Sequence, residues 1–295
     1  MSNANMRRLA LSAALGCGVL ISAAPAIAAQ CNPRGGFNAF LAEFRQEAAH
    51  AGISPRGLAA LNGLTPDPAV LAADRRQHVF NQSFEQFSGR MISRSRLSRG
   101  AYNMQRHASM LQRIEQVTGV PGAIVVAIWG LETDYGAVHG KRSVVRSVAT
   151  LAYDCRRSEK FQQQLADALR IIDAGDMTSA QMVGQWAGEI GQTQFLPSSY
   201  YKYAVDFDGD GRRDLVNSVP DVLASTANYL KGHGWQRGQG WGPGEPNFEV
   251  IKSWNSADVY ARTIALFARK LDGDTVGSGQ PRPRAAKPAR YDVRR

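Results

Sequence analysis

A single acidic residue ends the most apolar part of this chain. Glu132 lies in the run Ile124–Gly136, whose sequence is IVVAIWGLETDYG. Apolar surroundings disfavour the charged form of a carboxylate, which raises its pKa and makes it a proton donor near neutral pH. Cleavage of a glycosidic bond needs such a donor, and Trp129 and Tyr135 offer flat ring faces for sugars. A glutamate at a helix end, with its carboxylate in solvent, fits the apolar run equally well.

The N-terminus has the pattern of an export signal. Arg7 and Arg8 precede an apolar stretch that ends in small residues near position 29. This order predicts a secretory signal peptide over residues 1–29 that is cleaved from the mature chain. A permanent membrane anchor is the alternative, but Pro25 and the scarcity of strongly apolar residues disfavour it. Lipid attachment at Cys17 is not expected, because the apolar stretch continues after it.

Cleavage of the signal leaves an even pair of cysteines, Cys31 and Cys155. In an oxidising compartment such a pair predicts a disulfide, which would tie the N-terminal segment to the middle of the domain. Two unpaired buried thiols are the alternative. The spacing of these cysteines does not suggest a zinc site.

The positive charge of the chain is concentrated at its end. Residues 276–295 are rich in Gly, Pro and Arg and lack apolar periodicity, so we expect a disordered basic tail. This tail carries about half of the net charge of +10, and the predicted domain, residues 30–275, is only mildly basic. Nucleic-acid binding is therefore not predicted, because it usually requires basic clusters on the folded part. Attraction to an anionic polymer of the cell envelope fits better.

Helical periodicity dominates the predicted domain. Apolar residues recur at helical spacing in two stretches, at Phe37, Phe40, Leu41 and Phe44 and at Phe161, Leu165, Leu169 and Ile172. The pairs Ser54-Pro55 and Thr65-Pro66 and the segment Gly119-Val120-Pro121 indicate helix starts. The glycine-rich stretch 232–244 is compatible with a loop or a small β-hairpin. The sequence predicts a mainly α fold, as one large domain or two packed lobes with a cleft between them.

A second polar motif follows Glu132 by about fifty residues. Residues 186–200 read WAGEIGQTQFLPSSY, and the amides of Gln192 and Gln194 suit the hydroxyl and acetamido groups of sugars. A glycine-rich junction between helices, with both glutamines facing solvent, is the alternative.

Several segments together resemble the lytic murein transglycosylase B family. They are IWGLETDYG around Glu132, GEIGQTQFLPSSY from Gly188, AVDFDGDGRRDL from Ala204 and SVPDVLASTANYLKGHGW from Ser218. The resemblance implies a periplasmic enzyme with a lysozyme-like helical core and an additional helical region. Such enzymes cut the β-1,4 bond between N-acetylmuramic acid and N-acetylglucosamine in peptidoglycan. The resemblance also implies a monomer that needs no cofactor.

Site residues carry over from the resemblance one by one. Glu132 corresponds to the catalytic acid and base, which protonates the glycosidic oxygen and then removes the proton of the muramoyl O6 to form a 1,6-anhydro ring. The resemblance implies Gln194, Trp254, Asn255 and Tyr260 as substrate-binding residues, and Gln192 and Tyr135 join them because of their amide and ring chemistry. Gln185 departs from the family, where a serine often supports the catalytic carboxylate. Arg156 and Arg157 match a basic pair that could meet substrate carboxylates, or could be solvated surface residues.

An acidic loop suggests calcium. Asp206, Asp208 and Asp210 alternate as in a calcium-binding loop, but Asn217 stands at the twelfth position, where glutamate is usual. Asp221 could complete the ligand set of a longer loop, or could instead help to cap the following helix. The sequence predicts a structural loop with weak calcium binding, remote from proton transfer.

Two other functions stay open. One is a hydrolytic muramidase of the same fold, in which Asp134 or Glu189 would activate water. The other is a non-catalytic protein that binds peptidoglycan. Peptidoglycan glycan strands are the expected partner in either case, and proteins of cell-wall synthesis or division are further candidate partners.

Overall fold

The protein folds mainly into α-helices, as the sequence predicts. The structure is a computed structural model that describes residues 28–76 and 82–273. The tail predicted at 276–295, and all but the last two residues of the predicted signal peptide, lie outside these ranges. The first helices are α1 (Gly36–His50), α2 (Pro55–Leu58), α3 (Pro68–Arg75), α4 (Phe84–Met91), α5 (Arg94–Arg106) and α6 (Ala108–Thr118). The later helices are α7 (Gly122–Thr133), α8 (Val144–Tyr153), α9 (Ser158–Ala174), α10 (Pro197–Tyr203), α11 (Val219–Gly232), α12 (Phe248–Trp254) and α13 (Asp258–Leu271).

Helix α7 runs through the centre of the core. Every residue from Gly122 to Leu131 is buried, and α7 packs against α5, α6, α11 and α13. Complete burial of a Val or Ile side chain contributes about 1.5–3 kcal/mol, so this apolar helix is a main source of stability. Among the described helices, none alone is long and apolar enough to span a membrane, although α6 and α7, bent by 110°, meet the criterion of length and composition together.

A second group of helices is built around α8 and α9. Helices α8, α9 and α10 pack in sequence, and α1 and α2 lie against α8 and α9. The apolar side chains that predict α1 and α9 are buried in the structure: Phe37, Phe40, Leu41, Phe44, Phe161, Leu165, Leu169 and Ile172. The predicted disulfide is confirmed: Cys31 is bonded to Cys155, with their Cα atoms 5.2 Å apart. The bond fastens the N-terminal segment to the chain between α8 and α9.

The helix starts follow the predicted signals with one shift. Ser54 caps α2, and Pro55 is its first residue. Pro121 directly precedes α7. The Thr65-Pro66 signal is displaced, because α3 begins at Pro68 and the side chain of Asp67 accepts the hydrogen bonds of the first free N–H groups.

The described β structure is one small antiparallel sheet. Strand β1 (Arg142–Ser143) pairs with β2 (Val183–Gly184), and Arg142 lies opposite Gly184. Isolated bridges extend the pairing from Gly184 to Ile190 and from Ile190 to Phe195. The glycine-rich stretch 232–244 forms a loop with turns, which is the first of the two predicted alternatives. The sheet therefore lies beside the second motif and fixes its backbone.

Candidate active site

A cleft of about 430 Å³ opens at the C-terminal end of α7. It lies between α9, the β-bridged segment 187–199, α11 and the end of α12. Its lining residues are Glu132, Arg157, Lys160, Phe161, Ala187, Glu189, Gln194, Phe195, Leu196, Ser199, Tyr229, Ser253, Trp254 and Asn255. The volume and the mixture of aromatic, amide and carboxylate groups suit a sugar ligand.

Two neutral donors hold the carboxyl group of Glu132. Trp254 Nε1 and Tyr260 Oη each donate a hydrogen bond to Glu132 Oε1, and both distances are 2.9 Å. Oε2 accepts no hydrogen bond from any residue within 28–76 and 82–273. The geometry therefore distinguishes the two oxygens: Oε1 is anchored, and Oε2 is the oxygen that can carry an exchangeable proton.

The environment of Glu132 favours the protonated form. Burial raises its pKa from 4.5 to about 7, against the opposing effect of the hydrogen bonds from Trp254 and Tyr260. The negative charge of Glu189 raises the pKa further. At neutral pH the group is divided between acid and carboxylate, and this suits a residue that must first donate a proton and then accept one.

A second carboxyl group, that of Glu189, lies in the same cleft. Its Oε2 accepts a hydrogen bond from the backbone N–H of Ala187 at 3.2 Å. Burial raises the pKa of Glu189, while backbone N–H groups and the positive charges of Lys160 and Arg157 oppose this rise. The cleft thus contains two carboxyl groups in different electrostatic surroundings.

Gln194 and Asn255, two of the residues predicted to bind substrate, contribute amides to the cleft. Gln194 has a positive φ of 57°, and its Nε2 donates to the carbonyl oxygen of Gly191 at 2.7 Å. Asn255 Oδ1 accepts a hydrogen bond from the backbone N–H of Ala257. Gln194 Oε1 and Asn255 Nδ2 have no hydrogen-bond partner among the described residues. One acceptor and one donor are therefore available to sugar groups.

Three predicted substrate residues do not line this cleft: Tyr260, which reaches Glu132 from behind the lining, and Gln192 and Tyr135. The side chain of Gln192 accepts from Trp129 Nε1 at 2.8 Å and donates to the carbonyl oxygen of Val216 at 2.8 Å. Tyr135 donates to the carbonyl oxygen of Arg96 and packs edge-on against Trp129. Gln192 and Tyr135 both line a neighbouring cavity of about 270 Å³. Both polar atoms of the Gln192 side chain are therefore engaged within the protein.

The remaining charged candidates are engaged elsewhere. Asp134 pairs with Arg96 and Arg99 on α5, and it does not line the cleft. Although burial opposes them, the hydrogen bonds from Arg99 and Arg96 hold its pKa below the usual value. Gln185 is exposed, does not line the cleft and forms no hydrogen bond with the carboxyl group of Glu132.

The predicted basic pair, Arg156 and Arg157, forms a buried ion pair, and Arg157 also lines the cleft. Arg156 and Arg157 both contact the buried carboxylate of Asp74, which is only 1% exposed. Arg157 also reaches the cleft wall, and its Nε is buried without a hydrogen-bond partner. Arg157 therefore combines a structural ion pair with a donor that faces no described acceptor.

Comparison with known proteins identifies the family. The profile of the Transglycosylase SLT domain family matches residues 36–245, which is most of the chain. This protein belongs to that family. It is also 37% identical over 175 residues to the membrane-bound lytic murein transglycosylase B of Escherichia coli K12. That match covers 57% of this chain and 48% of the relative, so the chain spans about half the length of the curated relative it matches.

Solved structures have the same fold. SltB3 from Pseudomonas aeruginosa, solved in complex with NAG-anhNAM-pentapeptide, has a TM-score of 0.75 and 34% identity, over 80% of each chain. The Escherichia coli lytic transglycosylase Slt35, solved in complex with calcium, has a TM-score of 0.70 and 26% identity, over 79% of this chain and 92% of that one. The expected family and its helical core are therefore confirmed for this transglycosylase domain.

The acidic loop of the transglycosylase domain brings three carboxylates together. Asp206, Asp208 and Asp210 are exposed, and one oxygen from each lies within 4.8 Å of the others. Asp206 also accepts hydrogen bonds from the backbone N–H groups of Gly209, Asp210 and Gly211, which curls the loop around it. This donor set fits a hard cation such as calcium.

Asp221 does not join this cluster. It is fully buried below the loop, where its carboxylate accepts hydrogen bonds from the backbone N–H groups of Phe207, Asp208 and Asp214. Ser218 Oγ caps α11 by accepting a hydrogen bond from the N–H of Asp221, but the carboxylate of Asp221 does not return a bond to Ser218, so the predicted capping box is only half formed. Asp221 therefore shapes the loop from below, and its carboxylate oxygens are already engaged by the backbone.

Sequence reasoning missed part of the cleft wall. Lys160, Phe161 and Tyr229 line it, although Phe161 fits helical periodicity as a core residue. Tyr229 lies on α11, and its hydroxyl donates to the carbonyl oxygen of Ser253 at 2.7 Å. Only the packing of α9 and α11 beside the end of α7 reveals these roles, and no local pattern in the sequence signals them.

Proposed function

We propose that this protein is a lytic transglycosylase that cleaves peptidoglycan glycan strands without hydrolysis. The observation that carries the proposal is the carboxyl group of Glu132, held in a sugar-sized cleft with its pKa near 7 and only Oε1 anchored. The structurally similar SltB3 was solved with NAG-anhNAM-pentapeptide, which contains an anhydro sugar, and this supports the substrate class.

The proposed reaction uses one residue twice. Protonated Glu132 donates the proton from Oε2 to the glycosidic oxygen as the bond to C1 of N-acetylmuramic acid breaks. The resulting carboxylate, held by Trp254 and Tyr260, then removes the proton from the O6 hydroxyl of the same sugar. O6 bonds to C1 and closes the 1,6-anhydro ring, so no water enters the product. The acetamido group of the substrate stabilises the positive charge at C1 between these steps.

The other residues of the cleft bind and orient the strand. The free amide atoms of Gln194 and Asn255 would contact sugar hydroxyl or acetamido groups. The rings of Trp254 and Tyr229 give the cleft apolar faces for the sugar rings. Tyr260 acts by anchoring Glu132, because it contacts the carboxyl group directly.

Hydrolysis by the same fold is the second candidate function. It requires a second carboxylate that activates water. Asp134 is unsuited, because its two arginine partners hold it outside the cleft. Glu189 does line the cleft, so only Glu189 among these two can serve the hydrolytic alternative.

Product analysis separates the two reactions. Muropeptides released from purified sacculi by the wild type and by Glu132→Gln would be measured by mass spectrometry, with and without borohydride reduction. Transglycosylation gives products that resist reduction and lie about 20 Da below the reduced hydrolytic product, because they lack water and two added hydrogens. Glu249→Gln, at a glutamate with a 75% exposed side chain, is the matched control and should act as wild type. Reducible products would refute the proposal, and intact sacculi with every variant would favour a binding protein.

We further propose that the protein is exported to the periplasm, where its substrate lies. Calcium, if bound, would be held by Asp206, Asp208 and Asp210 and would stiffen the loop before α11. The proton transfers assigned to Glu132 need no metal or other cofactor.

A further inference from the structure

The backbone around Glu189 is rigid. Ile190 and Phe195 exchange hydrogen bonds of 2.7 and 2.9 Å, and Ile190 also bridges to Gly184 at the end of β2. A Cβ on Gly184 would lie 1.7 Å from the carbonyl oxygen of Glu189, so only glycine allows this approach. Gly191 has a φ of 74°, which is the left-handed conformation that favours glycine. These constraints fix the direction of the Glu189 side chain, which lines the cleft.

The two carboxyl groups of the cleft have different neighbours. Glu132, at the end of α7, contacts the neutral donors Trp254 and Tyr260. Burial raises the pKa of Glu189, and the positive charges of Lys160 on α9 and of Arg157, which directly precedes α9, oppose this rise from the lining of the same cleft. Neutral donors permit a protonated carboxyl group, whereas cations stabilise an ionised one.

Part of the positive charge is already neutralised. Arg157 forms an ion pair with the buried Asp74 as well as lining the cleft. Lys160 lines the cleft, and its ammonium group lies 5.8 Å from the centre of the Phe161 ring. The described charges around Glu189 are therefore Lys160, Arg157 with its partner Asp74, and Glu132 opposite.

We propose that Glu189 is a positioning residue for the reaction, an ionised carboxylate that shares the cleft with Glu132 and keeps the proton on Glu132 until the glycosidic oxygen arrives. This inference rests on the proposed function and extends it to a second residue. The like charge disfavours ionisation of Glu132 in the free enzyme. After the first proton transfer, the same charge makes the Glu132 carboxylate a stronger base toward O6. Both halves of the reaction benefit from one fixed charge.

The pH dependence of kcat/KM in Glu189→Gln tests this role. Glutamine keeps the shape and can still accept the Ala187 N–H, but it removes the charge. We expect the basic limb of the profile to move to lower pH, with activity at pH 8 reduced about threefold to tenfold, which corresponds to a displacement of about half a pH unit to one unit. Activity at pH 5.5 should stay within about twofold of wild type. Glu249→Gln is the matched control: it removes a carboxylate that is 75% exposed and does not line the cleft, and it should leave the basic limb at the pH of wild type.

A direct titration covers the case in which turnover is lost. The side-chain carboxyl carbon of Glu132, followed by ¹³C NMR in substrate-free protein, should titrate at lower pH in Glu189→Gln than in wild type. Equal midpoints and equal pH limbs would overturn the inference. The product assay is independent: anhydro products with no shift refute the role of Glu189 alone. Reducible wild-type products, together with loss of turnover at every pH in Glu189→Gln, would instead identify Glu189 as the base of a hydrolase and refute both proposals.

Discussion

The buried carboxyl group of Glu132 should cost stability at alkaline pH. Its pKa is about 7 in the folded protein and 4.5 as the reference value for the unfolded chain. Below pH 4.5 both states hold the proton, and the group has no net effect on folding. Between pH 4.5 and 7 only the folded state holds it, so the free energy of unfolding falls as pH rises, and the loss is complete above pH 7.

Glu132→Gln removes this dependence, because glutamine does not ionise and its oxygen can still accept from Trp254 and Tyr260. A displacement of 2.5 pH units between 4.5 and 7 corresponds to about 3 kcal/mol at 1.4 kcal/mol per unit. We therefore expect the variant to be more stable than wild type by about 3 kcal/mol at pH 8 and by less than about 1 kcal/mol at pH 5.

Equilibrium unfolding in urea at pH 5 and pH 8, for wild type and Glu132→Gln, measures this difference. Glu249→Gln is the control, and its stability should track wild type at both pH values because its carboxylate is 75% exposed in the folded protein. A gap between Glu132→Gln and wild type that is the same at both pH values would show that Glu132 is ionised in the folded protein throughout. That result would falsify the assignment of Glu132 as a proton donor near neutral pH.

Three more perturbations probe the site and its support. Tyr260→Phe removes a hydrogen bond that stabilises the Glu132 carboxylate, so the pKa of Glu132 should increase. Because a hydrogen bond to a charged group contributes about 1.5–3 kcal/mol, the basic limb of the kcat/KM profile should move about one pH unit to higher pH. The control, Tyr229→Phe, loses a hydroxyl that donates to Ser253 and not to Glu132, and its basic limb should stay at the pH of wild type. Reduction of the disulfide, which joins residues 124 positions apart, should lower the free energy of unfolding by about 2–5 kcal/mol, measured in urea with and without reductant, and an unchanged midpoint would contradict this. If the dissociation constant for calcium is about 1 mM, calcium at about 10 mM should stabilise wild type by about 1.4 kcal/mol. Asp208→Asn should abolish this stabilisation. Equal melting temperatures of wild type with and without calcium would exclude the site.

The sequence predicted the helices because their signals are local. The spacing of Phe37, Phe40 and Phe44 marks the buried face of α1, and the proline at position 55 marks the start of α2. The acid at the end of the apolar run was also identifiable from a local pattern, because every residue of α7 from Gly122 to Leu131 is apolar or small and is buried.

Contacts between residues far apart in the sequence could not be predicted from local patterns. Trp254 and Tyr260 lie 122 and 128 residues from Glu132, and only the family resemblance pointed to them. Gln192 illustrates the opposite case. Its amide suited a sugar as well as that of Gln194 did, but packing sets it between Trp129 and Val216. Residue type and spacing do not determine which of two nearby glutamines reaches the cleft.

The placement of charge around the end of α7 explains why two nearby acids, Glu132 and Asp134, have pKa values shifted in opposite directions. Asp134 and Tyr135 both have positive φ values, 57° and 63°, so the chain leaves the helix in a left-handed turn. This turn directs Asp134 toward the arginines of α5, which keep it ionised, while Glu132 remains in the cleft with donors that carry no charge. An arginine or lysine in place of Tyr260 would stabilise the Glu132 carboxylate and remove the proton that the reaction requires. The proposed acid and base function therefore depends on keeping the cations of α5 on the far side of that turn.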